Sequence, residues 1–373
     1  MRIPLSAPDV TEEEIQAVVN VLRTPSLSLG PKLSEFEDHL SRYVGISHTV
    51  AVSSGTAALH LCVRALGISE GDEVIMPSFT FIAVANAVRY EGATPVFVDI
   101  EGRSLNLDPD LIEAAITPRT RAIVLVHTFG CPADLDRIME IARRHGLLVI
   151  EDACEAIGAE YRGRKVGTFG DVATFAFYPN KQITTGEGGA VVTNNVRVAD
   201  RIRSLRNQGR NDSGAWLQHS ELGYNYRISD ISCSLGIEQL KRINSILERR
   251  AAVAREYDER LSRISGLTRP GLSFPDRKMS WFVYVVRLSQ SFDQTDRDSI
   301  FREMQARGIG AGRYFAPIHL QPVYRNFHHY ESKLPITESV AERTLALPFF
   351  NRIESAQVEE VCNVLRATVE SVS

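Results

Sequence analysis

The feature that most constrains the fold is an alternation of short, nearly all-apolar segments with amphipathic ones between residues 49 and 152. The apolar segments are predicted strands, at 49–53, 73–76, 95–100, 122–127 and 147–152. The amphipathic segments are predicted helices, at 56–66, 81–90, 109–116 and 134–145. Strands that are apolar on both faces and separated by helices are typical of a parallel sheet covered on both sides. Further strands at 171–178 and 190–193 extend this α/β pattern.

The pattern changes after residue 229. A long helical stretch, 230–261, is interrupted near Arg242, and strands and helices then follow more sparsely. This predicts a smaller α+β domain behind a large domain with a mostly parallel sheet. We therefore expect two domains, residues 1–245 and 246–373.

Composition narrows the classes of protein to which this chain can belong. Its 373 residues are 44% hydrophobic and 24% charged, which is ordinary for a globular enzyme. The net charge of −4 implies no strongly basic face, so nucleic acid is not an expected partner. We find no secretory leader and no apolar run of about eighteen residues, and therefore expect a cytoplasmic protein without a membrane span. The five cysteines are scattered without CxxC spacing, which predicts neither disulfides nor a metal site.

Candidate functional residues lie where predicted strands end, because ligands of parallel sheets bind at the carboxyl ends of the strands. Lys181 follows the strand 171–178, in a turn made by Pro179 and Asn180. A lysine at such a place can form an imine with an aldehyde cofactor. An isolated lysine is more often a solvated surface charge, so the other strand ends must decide between these interpretations.

Two further strand ends supply complementary groups. Ser54-Gly-Thr-Ala57 lies between a strand and the start of a helix, and the backbone N–H groups of Gly55, Thr56 and Ala57 would suit a phosphate. A simple N-cap explains the same residues equally well. Asp152 ends a buried strand and needs a partner, for which a protonated ring nitrogen would serve; an ordinary cap or ion pair is the alternative. Cys154 lies two residues further on, on the same side of an extended chain, where it would contact a flat ring.

Aromatic residues and absent motifs complete the picture. Of Phe79 and Phe81, one can stack on a cofactor ring, while at least one is expected to fill the core. The chain lacks GxGxxG, GxxxxGK[ST] and GxSxG motifs, which speaks against nicotinamide, P-loop and hydrolase chemistry. A lysine, a carboxylate for a pyridine nitrogen, a helix N-terminus for a phosphate and a ring-covering aromatic together fit pyridoxal 5'-phosphate.

The sequence also resembles a known family over nearly its whole length. The motifs that carry the resemblance are Ser54-Gly-Thr-Ala-Ala-Leu59, Gly71-Asp-Glu-Val-Ile-Met-Pro-Ser-Phe-Thr-Phe81, Gly92-Ala-Thr-Pro-Val-Phe-Val-Asp99, Val149-Ile-Glu-Asp-Ala-Cys-Glu-Ala156, Val166-Gly-Thr-Phe-Gly-Asp171, Lys181-Gln-Ile-Thr-Thr-Gly-Glu-Gly-Gly189 and Gly223-Tyr-Asn-Tyr-Arg227. In this order they are similar to the DegT/DnrJ/EryC1/StrS family of pyridoxal-phosphate-dependent sugar aminotransferases. The resemblance implies a fold-type-I enzyme that forms a homodimer with active sites at the subunit interface.

The resemblance also assigns roles to individual residues. It implies that Lys181 carries the cofactor, that Asp152 binds the pyridine nitrogen, and that Phe81 stacks on the ring. Gly55 and Thr56 match the phosphate-binding turn of the family. Phe79 is then left with a structural role.

Four more residues receive roles on the same basis. Asn225 matches an asparagine that reaches the phosphate from the neighbouring subunit, and Glu155 lies where many members carry glutamine near the 3-hydroxyl of the cofactor. The segment 313–324 resembles the sugar-nucleotide loop of the family. Within it, Tyr314 and His319 are expected to line the substrate pocket.

The chain departs from the family pattern at two positions. Ala176 stands where many members have a phosphate-binding serine, so Thr56, Asn180 or Asn225 must hold more of the phosphate. Glu155 in place of glutamine is a feature of the perosamine-synthase-like branch. A carboxylate beside the 3-oxygen of the cofactor is repulsive unless the two share a proton.

The implied reaction is transamination, because members that act as dehydratases carry histidine in place of Lys181. An amino group passes from L-glutamate to a keto group of a nucleotide-linked sugar, most favourably C4 of a 4-keto-6-deoxyhexose, and Lys181 moves the proton. A 3-keto sugar or an aminocyclitol is an alternative substrate. A non-catalytic regulator that merely binds the cofactor is the alternative of a different class, which the intact Lys181 and Asp152 disfavour.

Overall fold

The computed structural model describes residues 2–210, 218–271, 274–325 and 333–372. In chain order its helices are α1 Glu12–Leu22, α2 Pro31–Val44, α3 Gly55–Ala65, α4 Ala83–Tyr90, α5 Pro109–Ile112, α6 Leu135–His145, α7 Val196–Arg206, α8 Asp230–Lys241, α9 Ile243–Leu261, α10 Gln294–Ala306, α11 Pro322–Arg325, α12 Pro335–Arg343 and α13 Ser355–Val372. Its strands are β1 His48–Val52, β2 Glu73–Pro77, β3 Thr94–Val98, β4 Thr120–Val126, β5 Leu148–Asp152, β6 Glu160–Tyr161, β7 Arg164–Lys165, β8 Val172–Ala176, β9 Gly189–Thr193, β10 Leu267–Thr268, β11 Arg277–Lys278, β12 Tyr284–Leu288 and β13 Thr344–Leu347. Short 3-10 segments lie at Glu113–Ala115, Thr128–Gly130 and Ile318–Leu320.

Seven strands form the central sheet, in the order β1-β9-β8-β5-β4-β2-β3. Strand β9 runs antiparallel to both of its neighbours, and the other pairs are parallel. The predicted α/β fold with a mostly parallel sheet is therefore confirmed. Because β2, β4, β5 and β8 run in the same direction, their carboxyl ends lie along one edge of the sheet.

Both faces of this sheet are buried, as the apolar strands require. Along β4, Ile123 and Leu125 pack into the apolar cluster that includes α2, α6 and α8. Ala122, Val124 and Val126 alternate with them and pack into the cluster of α3, α4 and α7 on the opposite face. Each large apolar side chain buried in this way contributes roughly 1.5–3 kcal/mol. The two helical layers leave the strand ends as the open edge of the sheet.

The C-terminal part has a core of its own. Strands β10, β12 and β13 form a small antiparallel sheet, and its apolar residues cluster with those of α9, α10 and α13. The predicted interruption of the long helical stretch is confirmed at Arg242, which separates α8 from α9. The smaller α+β unit is thus present.

The boundary predicted at residue 245 is crossed in both directions. Ile3 forms a β-bridge with Ile309 and is buried in the C-terminal cluster. In the opposite direction, β11 pairs with β6 of the N-terminal part. The division into 1–245 and 246–373 stays a prediction.

None of the helices within the described ranges combines the length and the apolarity that crossing a bilayer requires.

Candidate active site

A cavity of about 410 Å³ opens at the carboxyl ends of the strands. Such a volume suits a cofactor and part of a small substrate. The sequence-predicted residues that line it are Gly55, Thr56, Phe81, Asp152, Glu155, Lys181 and Tyr314. The structure therefore brings together residues from four loops of the sheet and one from the C-terminal part of the chain.

Lys181 reaches this cavity from the turn after β8. Its backbone N–H donates to the carbonyl of Tyr178 at 2.9 Å, which tightens the turn. The Nζ atom lies 3.5 Å from Oε1 of Glu155 and 4.0 Å from the ring centroid of Phe282. A carboxylate and an aromatic face both attract an ammonium group, so they hold the lysine head at the cavity.

Glu155 is a buried carboxyl whose ionisation is balanced by its neighbours. Its Oε2 accepts a hydrogen bond of 3.0 Å from the backbone N–H of Phe129. Burial raises the pKa of Glu155, attraction to Lys181 and the Phe129 hydrogen bond oppose the rise, and Asp152 adds to it. The pKa of Glu155 lies above its ordinary value, so this side chain is suited to sharing a proton within the cavity.

Asp152 supplies a carboxylate without a cationic partner. It ends β5, is only 6% exposed, and accepts a hydrogen bond of 3.0 Å from the backbone N–H of Cys154. It forms no ion pair with any side chain in the described part of the chain. Beside it, burial raises the pKa of the Cys154 thiol well above its ordinary value, and Asp152 adds to the rise, so the thiol is neutral. The charge of Asp152 is thus left for a cationic group of a ligand.

The start of α3 has an N-cap and also has backbone N–H groups available to a phosphate, so both alternatives that the sequence left open are present. Ser54 is the N-cap, and its side chain accepts a hydrogen bond of 3.1 Å from the N–H of Ala57. The N–H groups of Gly55 and Thr56 have no acceptor among the described residues, so they remain available to an anion at the positive end of the helix.

Residue 55 must be glycine because the helix start packs directly on a strand end. A Cβ atom at Gly55 would lie 2.7 Å from Cβ of Ala176 and 3.3 Å from Sγ of Cys154. The side chain of Ala176 therefore faces the start of α3. A serine at position 176, as many family members have, would place its hydroxyl there. The amides of Gly55 and Thr56 are the groups of this helix that remain for a phosphate.

The two phenylalanines of the turn after β2 have different surroundings. Phe79 is completely buried, with edge-to-face contacts to Phe129 at 6.0 Å and Phe315 at 5.8 Å. Phe81 is 60% exposed and lines the cavity. The prediction that one of the pair fills the core is confirmed for Phe79, and Phe81 is free to cover a ring.

Two predicted site residues lie outside this cavity. Asn225 is exposed and forms a backbone bridge with Asn207, and its reach into a neighbouring subunit stays a prediction. His319 was expected to line the substrate pocket, but it is buried behind the turn after β2. Its ring hydrogen-bonds with Ser78 and Glu338 and is not part of the cavity wall.

Several wall residues had escaped the sequence analysis. Phe282 and Phe315 come from the C-terminal part, and Tyr178 precedes Lys181 by three residues. Tyr314 and Phe282 stack with their rings 6.3 Å apart. No local pattern distinguishes Phe282 from a core residue at the start of a strand, because its contact with Lys181 joins positions far apart in the sequence.

A second buried glutamate, Glu151, fixes the end of β5. His127 Nδ1 accepts a hydrogen bond of 3.1 Å from the N–H of Ala133, so its Nε2 carries the proton and donates to Glu151 at 3.2 Å. Three backbone N–H groups also donate to Glu151 at 2.7–2.8 Å, those of Gly167, Phe169 and Gly170. Burial by itself raises the pKa of Glu151, but these hydrogen bonds outweigh it and the pKa lies below its ordinary value.

The two buried glutamates predict opposite effects of pH on stability. Because Glu151 has a lowered pKa, its ionised form stabilises the fold above the ordinary glutamate pKa, and this stabilisation is lost as pH falls through the folded-state pKa. Because Glu155 has a raised pKa, its protonated form stabilises the fold. This stabilisation is complete below the ordinary glutamate pKa and is lost as pH rises through the folded-state pKa. In enzyme stripped of cofactor, the decrease in Tm caused by Glu151→Gln should be largest near neutral pH and shrink in acid. Glu155→Gln should gain Tm relative to wild type as pH rises.

Thermal unfolding of both variants between about pH 4 and pH 8 measures this difference. Glu12→Gln, at the exposed start of α1, is the control and should follow the wild type at every pH. If the two buried variants showed the same trend relative to wild type, the opposite pKa directions assigned here would be wrong.

The residues of the cavity fit pyridoxal phosphate. Lys181 offers an amine, Asp152 a carboxylate for the ring nitrogen, Gly55 and Thr56 two N–H groups for the phosphate, and Phe81 an exposed ring. When bound, this cofactor supplies an electron-withdrawing ring that carries the amino group between substrates. Among the described residues, no group of three or more His, Cys, Asp or Glu side chains is arranged to hold a metal ion.

Comparison with known proteins agrees with this chemistry. The family model for DegT/DnrJ/EryC1/StrS aminotransferases matches residues 8–366. GDP-perosamine synthase of Caulobacter vibrioides is 42% identical over 366 residues, which are 98% of this chain and 97% of that protein. The spore coat polysaccharide biosynthesis protein SpsC of Bacillus subtilis is 37% identical over 379 residues, 99% of this chain and 97% of that protein.

Solved structures give the same result. DesV of S. venezuelae superposes with a TM-score of 0.91 at 39% identity, covering 99% of each chain. The putative sugar aminotransferase Spr1654 of Streptococcus pneumoniae, in its PLP form, superposes with a TM-score of 0.95 at 29% identity, covering 100% of each chain. The predicted fold, enzyme class and cofactor are confirmed. The chain belongs to the DegT/DnrJ/EryC1/StrS aminotransferase family and is a pyridoxal-phosphate-dependent sugar aminotransferase.

Proposed function

We propose that this enzyme transfers the amino group of L-glutamate to C4 of a nucleotide-linked 4-keto-6-deoxyhexose. The observation that carries the proposal is the contact of Lys181 Nζ with Glu155 inside a cavity that also contains Asp152. The sequence similarity to GDP-perosamine synthase, and Glu155 in place of the more common glutamine, support the choice of a 4-keto sugar.

Lys181 is the proton carrier in this proposal. Its side chain is 13% exposed, and its Nζ lies between Glu155 and the face of Phe282. An amine at such a site can take a proton from the substrate carbon and return it nearby without exchange with bulk water. Glu155, whose pKa burial raises above its ordinary value, lies 3.5 Å from this amine.

The walls of the cavity suit one face of a deoxyhexose. Phe81, Phe282, Tyr314 and Phe315 contribute aromatic surface, and the Tyr314 hydroxyl contributes a polar group. Aromatic rings pack well against the C–H face of a sugar, and the 6-methyl group of a 6-deoxyhexose requires an apolar contact. The larger nucleotide must then extend out of the opening.

We further propose that the active form is a homodimer with shared sites. Phe81 and Tyr178 lie at the cavity and are 60% and 51% exposed, and Leu222, near Asn225, is 77% exposed. Large apolar side chains so exposed beside a site are typical of surfaces that a second subunit covers. In this arrangement Asn225 of one subunit reaches the phosphate bound by the other.

The substrate assignment predicts two separable half-reactions. With L-glutamate, the visible absorption band of the lysine-bound cofactor should disappear, and a nucleotide-linked 4-keto-6-deoxyhexose should restore it. Lys181→Ala should lack the band and lower turnover by at least about 10³-fold, because the amine that binds the cofactor and moves the proton is lost. Lys278→Ala, which removes a lysine paired with Glu160 at the surface, is the matched control and should behave as wild type.

Persistence of the band with every amino donor would contradict transamination. Restoration of the band by a 3-keto sugar or an aminocyclitol ketone alone would move the reaction away from C4. An unchanged rate in Lys181→Ala would remove the lysine from its proposed role.

The shared-site dimer predicts complementation between inactive variants. Asn225→Ala should lower activity at least tenfold because the phosphate of the cofactor is bound more weakly. Lys181→Ala should remove nearly all of the activity. In a hybrid dimer of the two, one site combines both changes and the other has none. Equal mixing gives about half hybrid dimers with one intact site each, so about one quarter of wild-type activity should return.

The measurement is turnover of the two variants after joint refolding, with each variant refolded alone as the control. No recovery, although hybrid dimers form, would place Asn225 at the site of its own chain.

A further inference from the structure

The loop that carries Tyr314 and Phe315 is fastened to the turn after β2. Ser78 lies in that turn and is completely buried. The N–H of Ile318 donates to the Ser78 carbonyl at 3.0 Å, and the N–H of His319 donates to Ser78 Oγ at 3.1 Å. One serine of this turn therefore holds two consecutive backbone N–H groups of a loop more than two hundred residues further along the chain.

The His319 ring completes this attachment. Its Nδ1 lies 2.7 Å from Ser78 Oγ, and its Nε2 lies 3.3 Å from Oε1 of Glu338. Since Oγ already accepts the His319 N–H, the arrangement that satisfies every group has the serine hydroxyl donating to Nδ1 and Nε2–H donating to the carboxylate. Glu338 also accepts the N–H of Leu334 at 3.1 Å, which fixes its own position.

A serine, a histidine and a glutamate linked one after another by hydrogen bonds are also the residue types of a hydrolase triad. The surroundings of these three residues exclude that activity. Ser78 is 0% exposed, so no substrate reaches its hydroxyl. The oxygen is already bound by a backbone N–H and a ring nitrogen. The three residues therefore act as a structural link, which we call the Ser78–His319–Glu338 clamp.

The clamp joins the two aromatic walls of the active-site cavity. On one side, the turn that contains Ser78 continues to Phe81. On the other side, the loop places Phe315 against Phe79 at 5.8 Å and Tyr314 against Phe282 at 6.3 Å. The attachment between the two walls thus runs through a polar contact, buried at Ser78 and His319, that is not itself part of the cavity wall.

We infer that Ser78, His319 and Glu338 are positioning residues for the keto-sugar half-reaction. This inference rests on the proposed function for the identity of that substrate. The amino donor, L-glutamate, is small and reacts beside Lys181 and Asp152. The sugar is larger and must fit between the two aromatic walls that the clamp joins. A displacement of about 1 Å at a reacting centre can cost about 100-fold in rate. Loosening the clamp therefore slows the second half-reaction selectively.

Four variants test this assignment by rapid mixing of the cofactor-loaded enzyme. Ser78→Ala and His319→Leu should slow the sugar half-reaction about 10- to 100-fold, while the glutamate half-reaction changes less than about 3-fold. His319→Asn should retain most of the sugar rate, because its amide oxygen can accept the Ser78 hydroxyl in place of Nδ1. His145→Leu, which changes an exposed histidine of α6, is the control and should leave both rates unchanged.

Two results would overturn the inference. Equal slowing of both half-reactions would mean that the clamp only stabilises the fold. A normal Ser78→Ala enzyme, combined with equal losses in His319→Asn and His319→Leu, would mean that His319 contacts the substrate itself.

A measurement without any substrate keeps the clamp separate from the proposed function. In Ser78→Ala, amide hydrogen exchange should accelerate at least about tenfold at His319, which loses its acceptor, but not at Ile318, which keeps the carbonyl of residue 78. Unchanged exchange at His319 would refute the clamp. If the wild type turned over no 4-keto sugar but this exchange pattern was observed, the proposed substrate would be wrong. The attachment of the loop through the clamp would still be supported.

Discussion

The active site depends on how the end of β5 is held. Glu151 and Asp152 are consecutive residues of a strand, so their side chains point to opposite sides. Glu151 is buried on one side by three backbone N–H groups and His127, and this leaves Asp152 on the cavity side. A hydrogen bond to a charged group contributes roughly 1.5–3 kcal/mol, whereas a buried carboxylate without partners would be strongly destabilising. The bonds of Glu151, which lies outside the cavity wall, therefore fix the strand end that places Asp152 in that wall.

The second constraint is the connection between the two parts of the chain. Gln182, next to Lys181, donates to the Glu155 carbonyl at 2.7 Å and to the Ser280 carbonyl at 3.0 Å. Arg250 is buried and donates to the carbonyls of Trp281 and Phe282, each at 2.6 Å. These bonds fix the ring of Phe282 beneath the lysine head. Hydrogen bonds to backbone carbonyls thus join the two parts of the chain beside the site, in addition to the apolar packing.

Much of this arrangement could be predicted from the sequence, for physical reasons. Apolar segments of strand length determine which residues lie at strand ends, and Lys181, Asp152 and Gly55 follow from that rule. Helix bounds were less exact. The helix expected to begin at Phe81 begins at Ala83, because the turn after β2 continues through Phe81 and leaves its ring exposed. The helix expected over 109–116 is one α-helical turn followed by a 3-10 turn.

Contacts between distant parts of the chain could not be predicted in this way. Nothing near Phe282 indicates that its ring lies under Lys181, and nothing near His319 indicates that its ring turns toward Ser78. A sequence pattern can show that a segment is a loop, but the direction of each side chain in that loop depends on contacts with residues far away in the sequence. The family resemblance implies a place for His319 in the substrate pocket, whereas in the structure its ring lies outside the cavity wall and bonds with Ser78 and Glu338.

We expect Lys181 to be the amine that carries the cofactor. Borohydride reduction of the loaded enzyme fixes the cofactor covalently to the lysine that holds it, and peptide mass mapping then identifies that residue. We expect a single modified peptide, the one that contains Lys181. Modification of another lysine, or of none, would contradict it.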